Sequence, residues 1–355
     1  MSIPPGPKPR SQQQIEAIDA LIRAGGLSRS PRRRRAGAAR TWRLERAMPD
    51  ELISTAPEPR MAANGVQWLS VSQWEKTPWL WHGFSTRKGG ASRAYCSMQD
   101  PAELNLGLTA EDSKAAVAQN RRRLAEAITG DAATPIITIG QFHSDLVVRV
   151  GRAEAASGQA RKADGMMTDE PGVLLAVLTA DCVPVLVADR KRRAVAAFHA
   201  GWRGTLSRIV ESGVGRMRLE FGSRPEDLVA AIGPGIGACC YAVGDELLSN
   251  FESQFSYARE LFREVYDQDP VRIKYPLLFL TQRAPGHSSA GFALHLDLIE
   301  ANRRQLMAAG VKPESIRSVG GCTSCQRALF FSHRASQGRA GRMMAAIGIR
   351  KAAQS

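Results

Sequence analysis

The chain is poor in sulfur, imidazole and aromatic groups: its 355 residues include six cysteines, six histidines and 6% aromatics. Cysteines this sparse do not make a disulfide framework, so free or metal-bound thiols are expected. No stretch approaches the roughly 20 continuous apolar residues of a membrane span. The N-terminus, MSIPPGPKPRSQQQ, lacks the apolar core of a secretory signal. A soluble, cytoplasmic protein with no membrane partner is the expectation. Acidic residues are also in deficit, 34 against 48 Lys and Arg, for a net charge of +14. Residues 1–47 hold eleven Lys/Arg and three Asp/Glu, a net +8, and include Arg32-Arg33-Arg34-Arg35. Residues 1–60 therefore read as a disordered basic tail, with a short helix at Gln14–Ala24. Nucleic-acid contact by this tail is the less favoured reading, as is a start codon assigned upstream of Met48 or Met61. The remaining +6 suits an anionic substrate.

With 44% apolar residues the chain has ample material for a core. From Val66 onward strand-like and helix-like patterns interleave, which predicts an α/β fold with a mixed sheet. Val173–Leu178 and Val183–Val187 are continuous apolar runs, the signature of strands buried on both faces. Asp189–Arg193 is a charged turn, so Ala194–Phe198 should return antiparallel to Val183–Val187. Asp112 is expected to cap a helix over Ser113–Thr129, with Gly130 as its stop. Leu206, Ile209, Val210, Val214 and Met217 follow helical spacing. Asp297 and Glu300 are spaced as a capping box.

Three polar residues stand where apolar strands meet polar turns: His143, Cys182 and His199. Each alone is most simply an ordinary buried or surface residue. Together, two imidazoles and one thiol can make a three-ligand metal site with one position open, the layout of a catalytic rather than a structural zinc. The same residues also suit a hydrolase in which Cys182 is a thiolate nucleophile activated by His143 or His199. Arg203, between glycines in Gly201-Trp202-Arg203-Gly204, suits oxyanion binding, and Arg87 before Lys88-Gly89-Gly90 is a weaker case. Gly233-Pro234-Gly235-Ile236-Gly237 lacks the lysine of a P-loop and reads either as a tight turn or as a backbone rim to a substrate. Cys322-Thr-Ser-Cys325 is a single CxxC, and structural thiols are its expected role. Cys239 and Cys240 are too close in sequence for easy mutual bridging.

These residues fall within a longer set of motifs. His82-Gly83-Phe84-Ser85-Thr86-Arg87, Asn105-Leu106-Gly107, Gln141 with His143-Ser144, Ala163-Asp164-Gly165, Thr179-Ala180-Asp181-Cys182, His199-Ala200-Gly201-Trp202-Arg203-Gly204, Cys239-Cys240-Tyr241 and Cys322-Thr323 with Cys325 occur in order. On these motifs residues 66–350 resemble the laccase-domain, multicopper-polyphenol-oxidoreductase-type proteins, also described as purine nucleoside phosphorylases with the YfiH fold. The resemblance implies a single layered α/β domain with mixed sheets over 61–355. It implies Zn2+, with copper disfavoured, held by His143, Cys182 and His199. It further implies phosphorolysis of purine nucleosides (adenosine, inosine, guanosine and methylthioadenosine), with adenosine deamination at the same site. Some members are instead described as peptidoglycan-editing hydrolases. Cys182, His143, His199 and Asp181 are thus the expected catalytic residues. Arg203, Arg87, Asn105, Gly235 and Cys240 are the expected substrate-binding residues. The expected partners are purine nucleosides and phosphate, and the assembly a monomer or homodimer.

Phenol oxidation by several coppers is disfavoured by arithmetic, because six histidines cannot ligate a multicopper cluster, and a closed-shell zinc does no redox chemistry. The sequence departs from the family pattern in three places. Asn105-Leu-Gly is followed by no histidine, Ala242 stands where a glutamate is usual, and segment 265–293 is longer than usual.

Overall fold

The computed structural model describes residues 58–153, 161–266 and 292–351. The tail up to residue 57, with the helix expected at Gln14–Ala24, lies outside the described residues, as does most of segment 265–293. Two mixed sheets of six strands form the centre of the described structure. The first runs Arg60–Met61, Gln67–Leu69, Leu80–Ser85, Met343–Ile349, Leu174–Thr179 and Ile136–Ile137 from edge to edge. The second runs Ile316–Ser318, Leu228–Ile232, Val183–Asp189, Val195–Ala200, Gly165–Thr168 and Val147–Arg149. Most neighbours are antiparallel; Ile136–Ile137, Ile316–Ser318 and Val147–Arg149 join as parallel edge strands.

The expected hairpin forms, with Val195 opposite Ala188 and Ala200 opposite Val183. Its turn is set locally: the buried Asp189 carboxylate accepts the N–H groups of Lys191 and Arg192 at 2.8 and 2.9 Å. The continuous apolar runs are explained by layering. Leu175, Val177 and Ile347 of the first sheet share a core with Leu186, Ala188, Val195 and Ala197 of the second. On the outer face of the first sheet, Leu124 of helix Lys114–Thr129 packs with Ala176 and Met344. On the outer face of the second, Val183, Val185 and Val187 pack against residues of helices Ile209–Phe221, Asp245–Gln254 and Leu298–Ala308. Each central strand is therefore covered on both sides, which leaves no place for alternating polar residues.

The structure corrects three local expectations. Ser113, not Asp112, caps the helix, its side chain accepting from Ala116 N at 3.1 Å. Asp112 instead accepts from Asn105 Nδ2 at 2.7 Å. The helix expected across Leu206–Met217 is two pieces, Trp202–Leu206 and Ile209–Phe221, because Arg208 takes a left-handed backbone (φ 61°) between them. The capping box at Asp297 is half made: Asp297 accepts from Glu300 N, but the Glu300 carboxylate turns to Arg303 and Arg304.

Gly213 weakens helix Ile209–Phe221 on propensity but is required by packing, since a Cβ there would lie 2.3 Å from the ring of the fully buried Phe198. Gly215 has open space instead. Gly213→Ala should therefore destabilise the fold by about 1–3 kcal/mol through overpacking. Gly215→Ala should stabilise it by about 0.5–1 kcal/mol. Urea unfolding midpoints of the two variants, expected to move in opposite directions, check this.

Candidate metal centre

Both loops that carry ligand candidates cross from one sheet to the other. Strand Leu174–Thr179 ends in the first sheet and Val183–Asp189 begins in the second, so Cys182 sits at the end of the crossing. Likewise Ile136–Ile137 lies in the first sheet and Val147–Arg149 in the second, and His143 lies between them. His199 is the penultimate residue of strand Val195–Ala200, in register with Pro184 and so beside Cys182 across the hairpin. The three donors converge: Cys182 Sγ is 3.9 Å from His143 Nε2, the two imidazole centroids are 5.0 Å apart, and all three donor atoms lie within 4.8 Å of one another.

Asp164, a residue to which sequence reasoning gave no role, organises the cluster. It is fully buried just before strand Gly165–Thr168. One of its oxygens accepts from His143 N (3.0 Å) and bonds His199 Nδ1 (2.8 Å). The other accepts from Phe142 N (3.2 Å), Ser144 N (2.6 Å) and Ser144 Oγ (2.8 Å). Burial pushes this carboxyl upward, but the bonds from His199, Ser144 and Phe142 outweigh it and hold it well below the usual carboxylate range. With Nδ1–H given to Asp164, His199 is left with Nε2 as its free ligand atom. The signs in the sequence were its place in the family motif Ala163-Asp164-Gly165 and an acidic residue between small ones at the start of an apolar strand.

The backbone of the ligand loops is strained. His143 (φ 66°) and Asp181 (φ 88°) both take positive φ, at a cost on the order of 1–3 kcal/mol each. Hydrogen bonds to an ionised carboxylate are worth roughly 1.5–3 kcal/mol each. The three backbone N–H groups that Asp164 binds in the 142–144 turn thus outweigh the strain at His143. Asp181 is held similarly: its carboxylate accepts from Thr323 Oγ1 and Arg334 N, both at 2.6 Å, and its carbonyl accepts from Ile236 N at 2.8 Å. Gln141 ties the His143 loop to the first sheet by paired bonds with Leu178, 2.8 and 2.7 Å.

The residues fit a metal ion. Gly201 faces the cluster with no side chain, and a Cβ there would lie 2.9 Å from Cys182 Sγ and 3.1 Å from the His143 ring. In the metal-free protein, burial pushes the Cys182 thiol up, but the charge of His199 and bonds from both imidazoles bring it down to about 6. His199 moves in the complementary direction, upward: burial works against its charged form, and the Cys182 charge and Asp164 prevail. The cluster therefore favours a thiolate, the form a cation binds.

The remaining expected site residues divide. Arg203 is exposed, its guanidinium 4.3 Å over the Trp202 ring, and no carboxylate pairs with it among the described residues. Arg334, which the sequence did not single out, stacks 5.2 Å over Tyr241 and donates to Ala242 O. Gly235 is buried, and a Cβ there would meet Val183 and the Asp181 carbonyl. Cys240 belongs to a separate sulfur cluster with Cys239, Cys322 and Cys325. Two residues expected to contact substrate are engaged inside the fold. Asn105 is fully buried, and its amide is spent on Gly107, Asp112 and Arg342 N. Arg87 pairs with the buried Glu103 at 2.6 Å, donates to Arg327 O and lies over Phe331, so it braces the fold.

Comparison with known proteins places the chain in a family. The family described as multi-copper polyphenol oxidoreductase laccase matches residues 81–350. Purine nucleoside phosphorylase YlmD of Geobacillus stearothermophilus is 37% identical over 278 residues, covering 76% of this chain and 90% of the relative. YlmD of Bacillus subtilis, also named purine nucleoside phosphorylase, is 35% identical over 277 residues, covering 76% and 88%. The crystal structure of Bacillus licheniformis hypothetical protein YfiH superposes with a TM-score of 0.66 at 33% identity, covering 82% of this chain and 99% of that one.

Two outcomes are expected from the site. Asp164→Asn, which loses charge and points an amide at N–H donors, should weaken metal binding about 10–100-fold; chelator competition measures this, with circular dichroism as the check on folding. In metal-free protein, alkylation of Cys182 by iodoacetamide should stay fast down to pH 6 and slow below it as the thiolate protonates. Metal loading should suppress it. A rate that rises only above pH 8 would contradict the thiolate assignment.

Proposed function

Because the chain belongs to the multi-copper polyphenol oxidoreductase laccase family, and relatives of 35–37% identity are named purine nucleoside phosphorylases, we propose that it is a zinc-dependent purine nucleoside phosphorylase with adenosine deaminase activity. The observation that carries this reading is the clustering of His143, Cys182 and His199 near Arg203 and Arg334, whose guanidinium groups pair with no carboxylate among the described residues. Two imidazoles and a thiolate suit zinc and leave one position for a ligand from solution. When bound, zinc supplies Lewis-acid charge without redox chemistry. Phenol oxidation by several coppers needs more histidines than the six in the chain.

The protein's own residues would do the rest. Arg203 and Arg334 supply the positive charge that binds phosphate at the rim. Trp202, Tyr241 and the half-exposed Phe142 offer ring faces for a purine. In phosphorolysis a phosphate oxygen bonds to C1′ as the glycosidic C–N bond breaks, and the base leaves with the electron pair and gains a proton. Tyr241 is pushed up to about 12, by burial first and then by the Cys182 charge, so its phenol stays protonated and can donate a hydrogen bond to the departing base. Asp181 acts as a positioning residue, its carboxylate already engaged with Thr323 and Arg334.

A second reading rests on the line Cys182, His199, Asp164, in which His199 Nδ1 is 2.8 Å from a buried carboxylate. That is the order of a cysteine hydrolase triad, and it supports an amide-cleaving enzyme, for which the family resemblance suggests peptidoglycan precursors as substrate.

Incubation of zinc-loaded protein with adenosine and phosphate should yield adenine, ribose 1-phosphate and inosine. Arg203→Ala should raise the KM for phosphate about tenfold or more with a smaller change in kcat. Absence of all three products, or a covalent acyl-Cys182 trapped from a peptide substrate with zinc removed, would replace the phosphorylase reading with the hydrolase.

A further inference from the structure

Four further sulfurs converge beside the site. Cys239 and Cys240 follow the loop Gly233–Gly237, and Cys322 and Cys325 form the CxxC beyond strand Ile316–Ser318. The two segments are joined by a parallel bridge between Gly235 and Cys322 and by Thr323 N donating to Gly235 O at 3.0 Å. Cys325 Sγ is 3.5 Å from Cys239 Sγ and 3.4 Å from Cys240 Sγ, and all four sulfurs lie within 4.8 Å of one another.

These distances discriminate between uses. A disulfide needs sulfurs at about 2.05 Å, far shorter than any separation here. Four thiolates at about 2.3 Å from a central zinc lie about 3.8 Å from one another on the edges of a tetrahedron, within a few tenths of an ångström of the two shortest separations. Adjacent residues of an extended strand would point their sulfurs apart. Residues 238–240 form a turn, with Cys240 N bonded to Gly237 O at 2.9 Å, and both sulfurs can therefore face Cys325. Cys239 and Cys325 are exposed, which gives an ion a path in from solvent.

We propose that Cys239, Cys240, Cys322 and Cys325 form a second metal site, a closed four-thiolate structural centre for zinc. It differs in kind from the His143/Cys182/His199 centre, because four protein ligands leave no open position. Its effect on the first centre is mechanical. Thr323, beside ligand Cys322, donates to Asp181, and Ile236 of the neighbouring loop donates to the Asp181 carbonyl. One ion would thus pin together the two segments that hold Asp181 next to Cys182.

The test is metal analysis of protein purified anaerobically in the presence of zinc. Wild type should carry two zinc per chain, Cys182→Ala one, and Cys325→Ser one. After replacement by Co2+, Cys182→Ala should keep most of the sulfur-to-cobalt charge-transfer absorption, since four of five thiolate ligands remain. This spectrum decides the matter even if Cys325→Ser fails to fold. A single zinc in wild type that disappears in Cys182→Ala, or mass-spectrometric evidence of a disulfide among the four cysteines, would overturn the proposal.

Discussion

A single buried carboxylate holds the candidate centre together. Asp164 binds three consecutive N–H groups of the loop carrying His143, the hydroxyl of Ser144 and the ring of His199. Its own backbone carbonyl also accepts from His199 N at 2.8 Å. An unpaired charge at this depth would be costly. Ringed by donors it becomes the strongest local constraint, and it fixes both where His143 lies and which nitrogen of His199 is left for a ligand.

The sandwich explains why such a constraint is needed. Packing two mixed sheets face to face buries their central strands but forces some connections to change sheet. Two of these crossings carry His143 and Cys182, and each contains a residue with positive φ. Irregular backbone cannot satisfy itself as a strand does. It is satisfied here by side chains arriving from elsewhere: Asp164 for one loop, and Thr323 and Arg334 meeting Asp181 in the other. The same loops that need bracing are therefore the ones free to present ligands.

The open rim adds an electrostatic contrast. Arg87 and Arg203 look similar as sequence, each near glycines, with Arg87 the weaker case. Arg87 is neutralised by a buried glutamate, whereas Arg203 rests on an indole and faces solvent. Asn105 shows the same divergence: a polar residue in a family motif proves to be an internal brace with every amide atom engaged. Motif membership marks a residue as constrained without saying whether the constraint is chemical or structural.

Much of the fold was legible because it is decided over short distances along the chain. The hairpin Val183–Ala200, the doubly buried strands and the stop at Gly130 follow from apolar period and turn chemistry. The errors, at Asp112, Arg208 and Glu300, arose where a side chain had a better partner than its local one or the backbone turned left-handed. His143, Cys182 and His199 could be named from their positions at strand ends and from the family pattern. Asp164 lies in a family motif, but its role could not be read, since its bonds span 20 to 35 residues and nothing local records them. The Asp181–Thr323 contact spans 142 residues, and the meeting of Cys239 with Cys325 spans 86. By itself the sequence determined which apolar runs are buried, which strands turn back on themselves and which side chains have the chemistry to bind a metal. Only the tertiary structure decided which of those side chains meet, because that depends on how two sheets stack and where the chain crosses between them.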